Sequence, residues 1–338
     1  MKKEKFLKLM IFIALFYTLT SHLYLVSTAA DDYPKKPIKI LVPYAPGGAT
    51  DTPARILQPF LEKELGVPVI VENRPGAGGE VCTAYLYRQP PDGYDLMIYS
   101  MPDLALVCVM QTPVFKFEDI YPFVSYFLDF RVFLVQKDSP LNTLEDFIQE
   151  AKRNPGKLSI STVHQAGHHL LAILLKKRLN EKGHNVDFKI VPFKGGADAI
   201  TALLGGHVTV NTGDGVGRIT YREQVKCIGV ARKEPHPSLW PEGKPINDQL
   251  RKYGITIPEI PRHVLLYVRT EFKNKYPERY NKLQNAILKI SQDKIFMEME
   301  KKQQLDYVRF WGPGENFGKE FKEQYEFYKD NKEIFKEE

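Results

Sequence analysis

The sequence predicts an α/β protein of two similar lobes, each a doubly wound sheet flanked by helices. Two observations carry this. Short apolar runs alternate with amphipathic helical stretches, the pattern of strands joined by helical crossovers in a parallel sheet. A strand–Gly-Gly–helix unit also occurs twice, at Gly47 and again at Gly195, which implies two related halves. With 338 residues, 43% hydrophobic and 26% charged, the chain is long enough to bury a core in each.

Residues 1–30 precede the predicted fold. Lys2, Lys3, Lys5 and Lys8 form a basic start, and Leu9 to Val26 is apolar but interrupted by Thr18, Thr20, Ser21 and His22. Ser27 to Ala30 then supplies small residues, so the segment reads as a secretory signal cleaved after Ala29 or Ala30. An uncleaved anchor is the competing reading; the polar interruptions leave a clean run shorter than a membrane span needs. No Cys lies near the cleavage site, which argues against a lipid anchor.

"PIKILVPY" (Pro37 to Tyr44) is the first strand, short, apolar and ended by a turn. A helix follows, with Ile56, Leu57, Phe60, Leu61 and Leu65 at helical spacing and Gly66 as its stop. "PVIVEN" (Pro68 to Asn73) is the second strand, "EVCTAYLYRQ" (Glu80 to Gln89) the second helix, and "DGYDLMIYS" (Asp92 to Ser100) a turn and third strand. "RVFLVQ" (Arg131 to Gln136) is a strand, and Thr143 caps a helix with Asp146 at its third position and Pro155-Gly156 as its stop. "KLSIST" leads through a loop to a helix over His169 to Gly183. Val186 to Phe193 is a strand, Lys194 to Gly206 a turn and helix, and His207 to Thr212 and Val225 to Ala231 are further strands. From Glu271 onward the chain reads as helical and charged. Phe317, Phe321, Tyr325 and Tyr328 fall at i, i+4, i+8 and i+11, a stripe best read as a packing face.

The formal net charge is +6, but residues 1–30 hold four Lys and one Glu, so the remainder carries 43 basic and 40 acidic side chains. That balance, without a basic run or recognition motif, excludes a nucleic-acid footprint. Cys82, Cys108 and Cys227 are an odd set with no CxxC, in apolar surroundings that suit buried free thiols; a Cys82–Cys108 disulfide stays open.

The glycine turns are the chemically suggestive stretches. After Tyr44 come Pro46, Gly47, Gly48, Ala49, Thr50 and Asp51, then a helix. Glycines let successive N–H groups point one way, and a helix N-terminus adds partial positive charge. No Lys-Ser or Lys-Thr follows, so a nucleotide P-loop is excluded, whereas a carboxylate suits the arrangement. An Asp here would repel a bound anion, so Asp51 is expected to be structural. The plain alternative is a tight turn holding nothing. The second turn weighs against it: Arg74, Pro75, Gly76, Ala77, Gly78 and Gly79 lie at the end of the second strand, so both loops border one crevice. Arg74 has two open roles, attracting the anion or bracing the loop through a carboxylate.

In order along the chain stand "YPKKPIKILVPYAPGGATD", "VPVIVENRPGAGG", "PPDGYDLMI", "NPGKLSIST" and "VPFKGGADAITALLGGHV". Together they resemble the substrate-binding proteins of tripartite tricarboxylate transporters, the Bug or TctC-type receptors, over essentially all of the chain past residue 30. The resemblance implies a two-lobed type II periplasmic-binding-protein fold with two crossings: lobe 1 from 31–128 plus 232–338, lobe 2 from 129–231. It implies a monomeric periplasmic receptor, without cofactor or metal, that closes over a small organic acid and passes it to membrane permease subunits. It further implies that loop amides, partly through waters, hold the carboxylate.

The second lobe departs from that family. In "STVHQAGHHL" (Ser161 to Leu170), Val163, Gln165 and Ala166 stand where small or hydroxyl residues are usual, His169 matches the family His, and His164 and His168 are extra. After Gly195, Gly196 replaces a frequent Ser, and "NTGDGVG" (Asn211 to Gly217) is shorter than usual. Hydroxyl donors are lost and imidazoles gained. Thr162, His164, His168, His169, Gly195, Gly196, Asn211, Thr212 and Asp214 are therefore the lobe-2 candidates, with an amine or hydroxyl on the ligand if Asp214 faces it. His164 and His168 have metal-ligand spacing, but Gly167 breaks the helix and no Cys or carboxylate completes a set. A hydrolase using Ser161 and His169 ranks below binding, since no G-x-S-x-G elbow or zincin helix is present. A receptor that presents ligand to a membrane sensor is the other alternative.

Overall fold

A computed structural model describes residues 32–164 and 166–335; the candidate signal at 1–30 and Gln165 lie outside them. The chain divides into Met1–Lys35, of which only residues 32–35 are described, and Lys36–Glu338, which holds everything below. Among the described residues no helix is long and apolar enough to cross a membrane.

The strands are β1 (Ile38–Val42), β2 (Val69–Asn73), β3 (Asp95–Met101), β4 (Ile120–Asp129), β5 (Arg131–Gln136), β6 (Ser159–Val163), β7 (Lys189–Phe193), β8 (Val210–Asp214), β9 (Val225–Ala231), β10 (Arg262–Arg269) and β11 (Arg309–Pro313). The helices are α1 (Asp51–Leu65), α2 (Glu80–Arg88), α3 (Asp103–Met110), α4 (Leu144–Arg153), α5 (Gly167–Glu181), α6 (Gly196–Leu204), α7 (Ile246–Leu250), α8 (Thr270–Lys275), α9 (Pro277–Ile290), α10 (Lys294–Lys302) and α11 (Gly318–Asp330).

One sheet has the order β11-β4-β10-β3-β1-β2 and the other β7-β6-β8-β5-β9. The parallel pairings expected from the strand–helix alternation are present: β1 with β2 and β3, β6 with β7 and β8. Both sheets are nevertheless mixed. β10 runs antiparallel to β3 and β4, and β5 antiparallel to β8 and β9. The reason is topological. β4 leads directly into β5 of the other sheet through Phe130 alone, and β10 brings the chain back beside β4, so the outgoing and returning strands must oppose one another. β10 is buried along nearly its whole length, the continuous apolar run of a central strand.

Local signals explain the helix ends. Gly66 closes α1 in the left-handed region at φ 71°. Thr143 accepts a hydrogen bond from the Asp146 N–H at 3.0 Å, and Asp146 accepts from the Thr143 N–H at 2.9 Å, the reciprocal cap expected there. α5 begins at Gly167, two residues before the expected start. The strand expected at His207 begins instead at Val210 and runs on to Asp214, which brings Asp214 to its C-terminal end. The aromatic stripe near the C-terminus packs as expected. Phe321 and Tyr328 are buried, Phe317 lies against His263, and Tyr325 stacks on Phe117 at 4.5 Å. The nominally helical tail also contains β11, which pairs with β4. Buried Glu300 anchors it, accepting from Arg309 Nε at 2.5 Å and Trp311 Nε1 at 3.2 Å. All three cysteines are unpaired, Cys82 and Cys227 buried and Cys108 half-buried.

After β9 the chain stays on the second sheet before returning. Val230 N–H donates to the Lys244 carbonyl, Ile246 packs on Gly229, and Gln249 Oε1 accepts from the Leu144 N–H at 2.8 Å, capping α4. Trp240 is fully buried there, and its Nε1–H donates to the Gly215 carbonyl at 2.8 Å.

Candidate functional site

β1 and β2 are parallel and in register from Ile38 with Val69 to Val42 with Asn73, so the two glycine loops leave the same sheet edge side by side. Asp51 ties them together. Its carboxylate accepts from Gly47 N–H, Arg55 Nε and Asn73 Nδ2, each at 2.8 Å. Burial opposes its ionisation, but these bonds from Arg55, Gly47 and Asn73 outweigh it and hold the carboxyl below its usual range. Asn73 also donates to the Tyr44 carbonyl at 2.9 Å. Asp51 is thus buried and consumed in bracing the loop, the structural role expected. Among the described residues, the N–H groups of Gly48, Ala49 and Thr50 have no acceptor. Pro46, Gly47 and Ala49 are exposed.

The second loop is shaped by positive φ at Gly76, Ala77, Gly78 and Gly79. Gly79 has no alternative, because a Cβ there would collide with the Tyr99 ring, whose hydroxyl donates to the Gly78 carbonyl. Arg74 Nη2 pairs with Glu72 of β2, and its guanidinium lies 3.5 Å over the Tyr85 ring. Between the loops, Tyr44 Oη donates to Asp103 Oδ2 at 3.2 Å and its ring lies 6.0 Å from Tyr99. Burial pushes both phenols well up. Asp103 also accepts from Ser100 Oγ at 2.5 Å and, from the other sheet's side, from the Gly167 N–H at 3.2 Å.

On the second sheet β6, β7 and β8 are parallel to one another, so His164, Lys194 and Gly215 follow strand ends that point the same way. His164 is exposed, its ring 5.8 Å from His169. His169 Nδ1 and Thr162 Oγ1 are 2.8 Å apart and both residues are buried. Ser161 is fully buried, donating to the Ala199 carbonyl and accepting from Asn211 Nδ2, a bracket rather than a poised nucleophile. Thr212 Oγ1 lies 3.3 Å from the carbonyl oxygens of both Ser161 and His168, which share its one proton. Asn211 spends both ends of its amide inside the protein, since its Oδ1 accepts from Arg218 Nε at 2.9 Å.

Three arginines that the sequence reading did not single out organise the space between the sheets. Arg131 opens β5, pairs with Asp214 Oδ1, donates to the Ile260 carbonyl at 3.1 Å, and lies 3.3 Å from His168 Nδ1. Arg262 opens β10, has Nε 3.6 Å from Asp214 Oδ2, and donates to Thr50 Oγ1 at 2.6 Å. The candidates Thr50, His168 and Asp214 are therefore brought together, but through Arg131 and Arg262. Asp214 is engaged by both, and their charges overcome burial to hold its carboxyl well below the usual range. His168 is kept neutral by burial, with Arg131 adding to the effect. Asp129, at the end of β4, accepts from the N–H groups of Phe130 and Val216, so it too spans the crossing. Burial first and the Asp214 charge second push its carboxyl up to about 7. The only sequence signal for this cluster was an Arg heading an otherwise buried strand, seen in "RVFLV" and again in "RHVLL".

Arg218 follows β8 in the 3₁₀ turn Val216–Tyr221 and is 7% exposed. It lies flat along glycines. A Cβ at Gly213 would sit 2.5 Å from its Nε, and one at Gly196 would sit 3.1 Å from Nη2. The Gly at 196, where the family resemblance suggested a Ser, leaves the room for this guanidinium. Gly195 and Gly196 form the start of α6. A Cβ at Gly217 would lie 3.9 Å from Ala49 Cβ, so this turn faces the first glycine loop. Among the described residues no group of three His, Cys, Asp or Glu side chains is placed to hold a metal ion.

Two sheets joined by adjacent crossings, with strand-end loops facing across the join, define a solute-binding protein of the two-lobed type II class. The chain belongs to the tripartite tricarboxylate transporter family receptors, TctC, whose sequence profile matches residues 53–234. It is 37% identical over 206 residues to the UPF0065 protein of the gbd 5' region of Cupriavidus necator, covering 58% of this chain and 59% of that protein. It is 34% identical over 188 residues to protein BugT of Bordetella pertussis, covering 54% and 56%. The match thus spans less than two thirds of the length of these curated relatives. A TctC solute-binding protein from Polaromonas, solved without ligand, superposes with a TM-score of 0.66 at 27% identity, over 88% of this chain and 98% of that one.

Proposed function

We propose that the chain is a periplasmic receptor that captures a small organic acid between its lobes and delivers it to a tripartite tricarboxylate-type permease. The observation that carries this is the first glycine loop. Gly48, Ala49 and Thr50 present N–H groups that have no acceptor among the described residues, at the start of α1, while Asp51 is turned inward and consumed by Gly47, Arg55 and Asn73. A site built this way favours an anion held by backbone donors. Gly76, Ala77 and Gly78 of the second loop form its other wall. Asp214, paired with two arginines, is not available to a ligand amine. The family supports the receptor and transport roles, and the N-terminal segment supports export. The proposed lobes are 31–128 plus 232–338, and 129–231, with Lys244 and Gln249 bonded back to β9 and α4.

Capture follows from closure. A ligand that touches both lobes only when they are together shifts the equilibrium by its differential affinity. Denaturing the purified protein and analysing the released small molecules by mass spectrometry is expected to yield an intact organic acid. Catalytic turnover of an added acid would instead make the cleft an active site and overturn the reading.

A further inference from the structure

We infer that Asp103 is a latch between the lobes: a carboxylate on the first sheet's side that caps α5 of the second, and so draws the ligand-free receptor towards closure. This rests on the receptor reading above, in that the lobes open and close. α5 is a helix of 15 residues without a side-chain cap of its own. Its N-cap residue, Ala166, has a methyl group that accepts nothing, and no acidic residue stands in its first turn. The N–H groups of His169 and Leu170 turn back to the Ala166 carbonyl at 2.9 and 3.2 Å. That of Gly167 goes instead to Asp103 Oδ1 at 3.2 Å. α4 shows the contrast, since Thr143 caps it from within.

Asp103 needs the helix in turn. It is 5% exposed, and a buried carboxylate is costly unless matched. Arg131 and Arg262 are engaged by Asp214, and among the described residues no cation forms an ion pair with Asp103. Its partners are Ser100 Oγ at 2.5 Å, Tyr44 Oη at 3.2 Å and the Gly167 N–H, where the partial positive charge of α5 gathers. Ser100 and Tyr44 lie on the first sheet's side. Only the Gly167 bond crosses, so opening the cleft breaks it. The fit there is close: a Cβ at Gly167 would lie 2.8 Å from Pro102 Cγ and 3.0 Å from Ile260 Cγ2. Tyr44 leads into the first glycine loop, and its ring lies 6.0 Å from that of Tyr99, whose hydroxyl holds the second. The latch therefore joins both loops to the start of α5. A receptor that rests partly closed binds its ligand more tightly, because apparent affinity scales with the competent fraction.

The test uses the chain from residue 31 onward, unfolded, washed free of bound molecules and refolded, with no acid added. Asp103→Ala is expected to enlarge the radius of gyration in small-angle scattering. It should also speed amide hydrogen exchange at 167–170 by about tenfold, the effect of a lost cap, with exchange in α4 unchanged. Asp103→Asn, of the same size, should fall between, and carries the test if D103A does not fold. Ala166→Ser gives α5 a cap from its own lobe. Added to D103A, it should restore the slow exchange but not the compact scattering. Scattering or exchange at 167–170 that stays as in the wild type overturns the latch. Exchange that quickens in α4 as well also overturns it, by showing a general loss of stability. Compactness restored by A166S does the same, because closure would then not need the contact across the cleft. Each of these failures leaves the receptor reading standing, since that rests on the first glycine loop.

Discussion

At the scale of single residues the cleft is governed by charges at the crossings. Asp129 holds a proton in the folded protein at pH values where an unfolded Asp, with a pKa near 3.9, has lost it. Its contribution to stability is full below about pH 4 and is lost as pH rises towards about 7. Asp214 acts in the opposite sense and lower on the scale: its stabilisation is present above pH 4 and lost in stronger acid. His168 and His263, held low by burial, also oppose Asp129 across the mid-range. Subtracting the Tm–pH curve of Asp129→Asn from that of the wild type should isolate its limb between pH 4 and 7. A flat difference there would show that Asp129 titrates normally. These residues were poorly legible in the sequence. A lone Arg before "VFLV" reads as the solvated end of a strand, and only the topology shows that Arg131 and Arg262 face the same aspartate.

At the scale of elements the legible features were those with local causes. The Thr143–Asp146 cap, the Gly66 stop and the β1, β2 and β3 runs follow from capping chemistry and periodicity, which need no distant partner. Thr143→Ala should cost about 1 kcal/mol in chemical denaturation, the usual price of a lost cap; an unchanged midpoint would mean Gln249 alone suffices for that helix end. What the sequence concealed was α3, β4, β10 and β11. "DLALVCVM" is apolar on every side and short, so periodicity cannot distinguish helix from strand. β11 is paired with β4 and tied to Glu300 of α10, interactions with no local signature. The glycine loops were legible as turns and as neighbours, but the Asn73 bridge between them was not. Asp51→Asn would turn an acceptor for three donors into a mixed group facing at least one donor. A loss of roughly 1–3 kcal/mol of stability is expected, with weakened acid binding; unchanged binding would mean the loop holds its shape without Asp51.

At the scale of the whole molecule, the start of α5 is packed tightly against the first sheet's side. Gly167 N–H meets Asp103, and a Cβ at 167 would lie 2.7 Å from Arg131 Nη2 and 2.8 Å from Pro102 Cγ. Gly167→Ala should therefore hold the lobes apart. Small-angle scattering of the ligand-free variant is expected to give a larger radius of gyration than the wild type, and an identical profile would show that the crossing absorbs the methyl group. Trp240 has a further consequence. Its indole N–H is bonded to Gly215, three residues before Arg218, and the chain holds one other tryptophan, Trp311, beside β4. With Trp311 replaced by Phe, the emission of a single indole would track the turn that carries Arg218. The receptor would then report its own occupancy optically, without an added dye.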